Sequence, residues 1–256
     1  MHGNGLRSIT EANVCARGRS QRAATVGIHL DQPFDPAKAF APITVVADMS
    51  MLLVVHPKVG VTDFKGFLAK VRAEPGKLNF GSAGNGTTGH LALEMFMRAA
   101  GVKIAHVPYK GAAPSVQDLV AGQIDGLFDN PPTVISHIRA GTIRALAATA
   151  GKRMEILPDV PTAAEAGLPG FEASSWFALV APAATPKQVI DRLHGATVKA
   201  LRLPAMQERF GKLGARLVGN SPGEFAAFIK TERAKWGAVL KPANIKLTPD
   251  GKVKIL

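Results

Sequence analysis

Three strand–loop–helix units follow one another between residues 77 and 141, and that pattern constrains the fold more than any other feature of the chain. In the first, Lys77-Leu-Asn-Phe80 reads as a strand and Gly81-Ser-Ala-Gly-Asn-Gly-Thr-Thr88 as its loop. Leu91, Met95, Phe96 and Ala99 then make one apolar helical face that stops at Gly101. The second unit has a strand at 104–107, the loop Pro108-Tyr-Lys-Gly-Ala-Ala113 and a helix opening at Pro114 and ending at Gly122. The third has a strand at 124–128, the loop Asp129-Asn-Pro-Pro132, a helix over 133–140 and a stop at Gly141; a last strand follows at 144–149. Strands alternating with helices of this length predict βαβ units and a mostly parallel sheet. Right-handed crossovers bring the three loops together at the carboxyl edge, where open α/β sheets bind ligands.

The flanking chain reads differently. Short apolar runs at 43–47 and 51–55 predict strands, with a break at 48–50. Thr62 resembles a helix N-cap, followed by Phe64, Phe67, Leu68 and Val71 at helical spacing and the stop Glu74-Pro75-Gly76. Beyond the three units come a short helix at 162–166, a strand at 174–180 and amphipathic helices at 187–201, 204–213 and 222–240, with a strand at 215–218. Phe225, Phe228 and Trp236, at helical spacing, are expected in the core, and Trp176 packs in the core or, as the second reading, lines a cleft. The expected organisation is a tail at 1–24, disordered or non-homologous, an α/β lobe at 55–173, and a base made of 25–54 plus 174–256.

Lys and Arg number 31 against 19 Asp and Glu, a formal charge of +12, so an acidic partner is expected. The basic residues are dispersed, with one Tyr and two Trp in the chain, which argues against nucleic acid and for anionic metabolites. A single cysteine, Cys15, excludes an intrachain disulfide and a multi-cysteine metal cluster. The histidines at 2, 29, 56, 90, 106, 137 and 194 show no metal-ligand spacing, and no nucleophile elbow or Ser/His/Asp set stands out, so no metal, cofactor or catalytic residue is expected. Residues 1–24 hold four arginines but no apolar core of 7–15 residues, so they do not read as a secretory signal.

The densest chemistry lies in Gly81-Ser-Ala-Gly-Asn-Gly-Thr-Thr-Gly-His90. A loop that opens a helix meets unpaired backbone N–H groups and a partial positive charge. Glycines let an anion approach, and the hydroxyls of Ser82, Thr87 and Thr88 add donors, a combination suited to carboxylate or phosphate. The expectation is that these amide and hydroxyl hydrogens point, unpaired, into an open crevice. His90 either helps to hold the anion or is a buried first-turn residue. Tyr109 either packs on or donates to a ligand or fills the rim, and Lys110 is a ligand charge or a solvated loop residue. Asp129 orients a ligand group or caps a turn. Gly84-x-Gly86-x-x-Gly89 also matches the dinucleotide fingerprint, but no acidic residue ends the next strand. An NADP-dependent oxidoreductase using glycines 84–89 is the alternative reading.

Taken in order, further stretches carry a resemblance. They are Pro33-Phe-Asp-Pro36 with Phe40-Ala-Pro-Ile-Thr44, Gly76-Lys-Leu-Asn-Phe-Gly-Ser-Ala-Gly-Asn-Gly-Thr87 with His90-Leu and Glu94, and Val107-Pro-Tyr-Lys-Gly111. They continue with Asp118-Leu-Val-Ala-Gly-Gln-Ile-Asp125, Ile143-Arg-Ala-Leu-Ala147, Leu157-Pro-Asp-Val-Pro-Thr162, Glu165-Ala-Gly-Leu-Pro-Gly170, and Trp176-Phe with Ala181-Pro. From about residue 25 to about 247 the chain resembles the substrate-binding proteins of tripartite tricarboxylate transporters, the Bug receptors. The resemblance implies an α/β, type II periplasmic-binding-protein-like fold of two lobes with mostly parallel sheets, closing on a small carboxylate. It also implies a periplasmic solute receptor, a Venus flytrap, that hands its ligand to membrane permease subunits, works as a monomer and is not an enzyme. It implies that Ser82, Ala83, Asn85, Gly86, Thr87, Thr88, His90, Tyr109 and Asp129 line the ligand.

Residues 1–24 do not resemble the start of that family, which carries a signal peptide and a Pro-x-Gly-Gly-type loop that grips the ligand from the first lobe. Ala39 also stands where the family often has Asp. The expectation is therefore an N-terminally truncated member with an incomplete first lobe, cytoplasmic if expressed as written. Charge-assisted hydrogen bonds contribute roughly 1.5–3 kcal/mol each, and a micromolar complex needs about 8 kcal/mol. Weak binding is expected if one lobe's donors are missing.

Overall fold

The computed structural model describes residues 7–10, 13–14, 36–240, 245–247 and 253–255, with side chains over 38–238. Cys15 and the turn residues 33–35 lie outside the described residues. The chain divides into two compact units, one of Met49–Ser174 and one of Met1–Asp48 with Ser175–Leu256.

The first-mentioned unit carries the three βα units. After β1 (Arg7–Thr10), β2 (Asn13–Val14), α1 (Pro36–Ala39) and β3 (Phe40–Ser50), the chain enters it as β4 (Leu52–Val55) and α2 (Phe64–Ala73). It continues through β5 (Asn79–Ser82), α3 (Thr88–Ala100), β6 (Ala105–Pro108), α4 (Ala112–Val120), β7 (Gly126–Asp129), α5 (Pro131–Arg139) and β8 (Arg144–Ala148). The sheet order is β6-β5-β7-β4-β8. β5 is parallel to β6 and β7, while β4 is antiparallel to β7 and β8. One reversed strand thus sits inside an otherwise parallel sheet. All four residues of β4 are buried, which fits a strand covered on both faces.

Alternating side chains separate two cores. Leu52, Val54 and Leu127 pack with Val116, Leu119, Ile124, Val134 and Ile143. On other contacts of the same unit, Phe64, Phe67, Phe80, Phe96, Phe128 and Phe171 form a chain of tilted and edge-on ring pairs 5.7–6.4 Å apart. Such aromatic pairs add specific geometry to area burial. The helix over 64–73 is capped by Asp63, not Thr62: its carboxylate accepts from the Gly66 N–H at 2.7 Å. The predicted helix at 162–166 is a single turn. Thr162 and Glu165 pair reciprocally there, at 2.9 and 3.1 Å, but the chain turns away at Gly167 with φ +105°.

Where this unit begins and ends, Thr149 ties the strands together. Its buried hydroxyl accepts from the Met51 N–H at 2.9 Å and donates to the Ala173 carbonyl. Its own N–H donates to the Met51 carbonyl at 2.8 Å, and its carbonyl accepts from the Ala173 N–H at 3.2 Å.

The other unit is completed by β9 (Ser174–Pro182), α6 (Lys187–Leu201), α7 (Pro204–Lys212), β10 (Arg216–Leu217), α8 (Pro222–Leu240), β11 (Ile245–Leu247) and β12 (Val253–Ile255). Its main sheet has the order β10-β3-β9-β1-β2. β1 pairs antiparallel with β2 and β9, and β10 with β3. Among the described strands the sheets are therefore mixed rather than mostly parallel, because β4 runs against both its neighbours and β1 pairs antiparallel with β2 and β9, as β10 does with β3. Trp176 is buried edge-on against Phe225 and Phe228, 5.8 and 5.5 Å away, beside Val45, Ala178 and Val180. Trp236 is buried too and donates to Glu232 at 2.9 Å.

Candidate functional site

The three loops expected to converge do share the carboxyl edge of the β6-β5-β7 strands. Backbone bonds stitch the first two: the Tyr109 N–H donates to the Ser82 carbonyl at 3.0 Å, and the Gly111 N–H to the Ala83 carbonyl at 2.9 Å. β7 lies beside β5 in register, with Leu127 opposite Gly81, so Asp129 ends the neighbouring strand on the same edge.

Gly84 organises the loop. At φ +138° it occupies backbone space open to glycine, and its carbonyl turns back inside. That one carbonyl accepts from the Thr87 hydroxyl at 2.7 Å, the Ser82 hydroxyl at 3.0 Å and the Thr87 N–H at 3.3 Å. The Gly84 N–H donates in turn to the Ser82 Oγ at 3.2 Å. The expectation of unpaired, outward hydroxyls at Ser82 and Thr87 is thus corrected: they brace the loop. Gly89 has another role, holding α3 close to the sheet; a Cβ there would stand 2.6 Å from the Phe128 carbonyl oxygen.

What is left for a ligand lies at the first turn of α3. Among the described residues, the N–H groups of Thr88 and Gly89 have no protein acceptor, and the Thr88 hydroxyl has no partner. Thr87 occupies the N-cap without capping by its side chain. Asn85 is exposed and Ala83 half-buried at the loop tip. A rigid loop with spare amide donors at the positive end of a thirteen-residue helix favours a small anion.

Beneath the loop is a pair of imidazoles. His90 is 2% exposed, and its Nδ1 accepts from the Gly86 N–H at 3.0 Å. Its ring stacks on that of His106, 3.9 Å between centroids and 9° from parallel. The His106 Nε2 lies 2.7 Å from the Ser82 Oγ. Burial, and then the neighbouring His90, push the His106 pKa down to about 3. His90 therefore faces the loop from below. His106 was missed in the sequence because nothing linear joins position 106 to 82 and 90; the parallel pairing of β5 with β6 brings them together.

Tyr109 points its hydroxyl to Asp118 of α4, donating at 2.7 Å. Burial and then that bond raise its pKa to about 12. Its ring packs against the core of the unit. The Asp129 Oδ1 accepts from the Asn130 N–H at 2.7 Å, as a turn-capping carboxylate does. Lys110 is exposed.

Comparison with known proteins gives a consistent result. The family model described as "Tripartite tricarboxylate transporter family receptor" matches residues 19–245. Protein BugT of Bordetella pertussis is 35% identical over 243 residues, 94% of this chain and 74% of its own length. A protein encoded in the tcbD-tcbE intergenic region of Pseudomonas sp. strain P51 is 39% identical over 205 residues, 80% of this chain. The match covers 61% of that relative's length. Among solved structures, R. palustris Rpa4515 with adipate superposes with a TM-score of 0.79 at 36% identity, over 86% of this chain and 74% of that one. MatC from Rhodopseudomonas palustris with bound malate gives 0.77 at 28% identity, over 92% and 78%. None of these relatives supports the oxidoreductase alternative.

Proposed function

The chain belongs to the tripartite tricarboxylate transporter receptor family, and on that premise we propose that it is a non-enzymatic solute receptor for a small organic carboxylate. It works in the periplasm as a monomer and passes its ligand to the permease subunits of such a transporter. The observation that carries this reading is the first turn of α3, where the Thr88 and Gly89 N–H groups and the Thr88 hydroxyl stand without acceptors behind a braced glycine loop. One carboxylate oxygen can take two such N–H groups, with the helix end adding its partial charge. The adipate and malate of the two R. palustris proteins point to dicarboxylates of short chain as the first candidates.

The 2.7 Å approach of Ser82 to His106 has the spacing of a nucleophile and its base. It favours binding over acyl transfer all the same. A ring whose pKa lies near 3 takes a proton poorly at neutral pH, and Ser82 is itself buried.

A ¹⁵N NMR titration with malate, adipate and citrate, with sulfate as control, tests the proposal even at millimolar affinity. Saturable shifts are expected at the Thr88 and Gly89 amides with at least one carboxylate. Thr88→Val should weaken that binding about tenfold, the loss of one hydrogen bond to a charged group. No saturable change at those amides with any of the three acids overturns the reading.

A further inference from the structure

We propose that His90 and His106 are positioning residues: their stacked rings hold the glycine loop in its binding form from beneath, and acidification releases it. The proposal rests on the receptor reading above and assigns that site a pH response.

Each ring grips a different end of the loop. His106 reaches Ser82, the last residue of β5, and His90 reaches the amide of Gly86. The Gly86 contact requires a lone pair on the His90 Nδ1, so that nitrogen carries no proton while the contact stands. Protonation there replaces an acceptor with a donor and turns an attractive contact into two opposed N–H groups. It also places a cation 3.9 Å from the ring of His106. The pair therefore tolerates no second proton, and the first one costs the loop its Gly86 anchor.

The surrounding charges set the direction of the response. Among the described residues, the Glu94 carboxylate on the same helix is the charged group within ion-pair reach, 3.6 Å from the His90 Nε2. From β5 the pair faces the neutral Ser82 hydroxyl, and from the loop it faces the Gly86 amide. Glu94 gives the His90 ring a carboxylate partner, and no such ion pair is made by His106 among the described residues. His106 is held uncharged by burial and by its neighbour.

The test follows the Gly86 amide of the full chain by hydrogen-exchange protection, in parallel with adipate affinity, from pH 7.5 to 4.5. Both are expected to fall together with one midpoint, and Glu94→Gln should move that midpoint to lower pH. His90→Ala should lower Gly86 protection about tenfold at pH 7.5, the worth of one buried hydrogen bond. His90→Asn, whose Oδ1 sits where Nδ1 does, should restore protection to within about threefold and abolish its pH dependence. A flat Gly86 protection profile in the wild type, or His90→Asn falling with pH as the wild type does, overturns the proposal. If adipate fails to bind at pH 7.5, the receptor reading loses this ligand, and Gly86 protection alone still decides the clamp.

Discussion

Gly89 has no room for a methyl group. A Cβ would meet the Phe128 carbonyl oxygen at 2.6 Å, and backbone cannot give way as a flexible side chain does. Gly89→Ala should therefore lower stability by about 1–3 kcal/mol despite alanine's better helix propensity, read as a fall in the thermal midpoint. His106 yields a second expectation. Its folded pKa, about 3, lies below the ordinary value near 6.5. Between those values the unfolded chain binds the proton and the folded chain does not, so stability falls as pH drops from about 6.5 toward 3. Urea unfolding at pH 7 and 4.5 should show that loss in the wild type and a smaller one in His106→Gln. At this scale the sequence announced how many donors the loop owns, but not where they aim. Ser82 and Thr87 look the same as Thr88 in a list of hydroxyls; only the inward carbonyl of Gly84 separates bracing groups from free ones.

The elements themselves were largely legible, since apolar spacing and turn residues mark their ends. The helices over Lys187–Leu201 and Pro222–Leu240 lie where periodicity places them. The second is opened by a reciprocal cap. The Ser221 N–H donates to the Glu224 carboxylate at 2.8 Å, and the Glu224 N–H donates back to the Ser221 Oγ at 3.2 Å. Ser221→Ala should cost about 1 kcal/mol in chemical denaturation. The Ser221 backbone bond, more than any other contact, holds the Glu224 carboxyl below its usual range. The Ser221 hydroxyl also donates to that carboxylate, at 2.8 Å, and lowers it further. This bond, which Ser221→Ala removes, holds at neutral pH and fades as pH falls through the lowered value, so the penalty of Ser221→Ala should shrink in acid. Strand direction was not legible. Met51-Leu-Leu-Val-Val55 is apolar throughout, and such a run states that both faces are covered without stating which way it points. β4 proves antiparallel to both neighbours.

At the scale of the molecule, the unit of Met49–Ser174 is continuous in sequence, whereas the other joins two distant stretches. The continuous unit has its own sheet, its ring of phenylalanines and its own aliphatic core. A fragment of residues 49–174 should unfold cooperatively on its own, with strong amide protection in β4, β5 and β7. A fragment with dispersed protection throughout would refute that autonomy. The discontinuous unit was harder to read because its sheet mates, such as β3 beside β9 and β10, are far apart along the chain, and no local pattern records which strands meet.

Thr149 gives that continuity a practical meaning. By tying Met51 to Ala173 it makes the polypeptide leave nearly where it arrived, so the α/β unit is a detour with a sealed doorway. In a fragment of residues 49–174, Thr149→Val should lower the thermal midpoint by freeing the two ends from each other, while Thr149→Ser, which keeps the hydroxyl, should stay close to the parent.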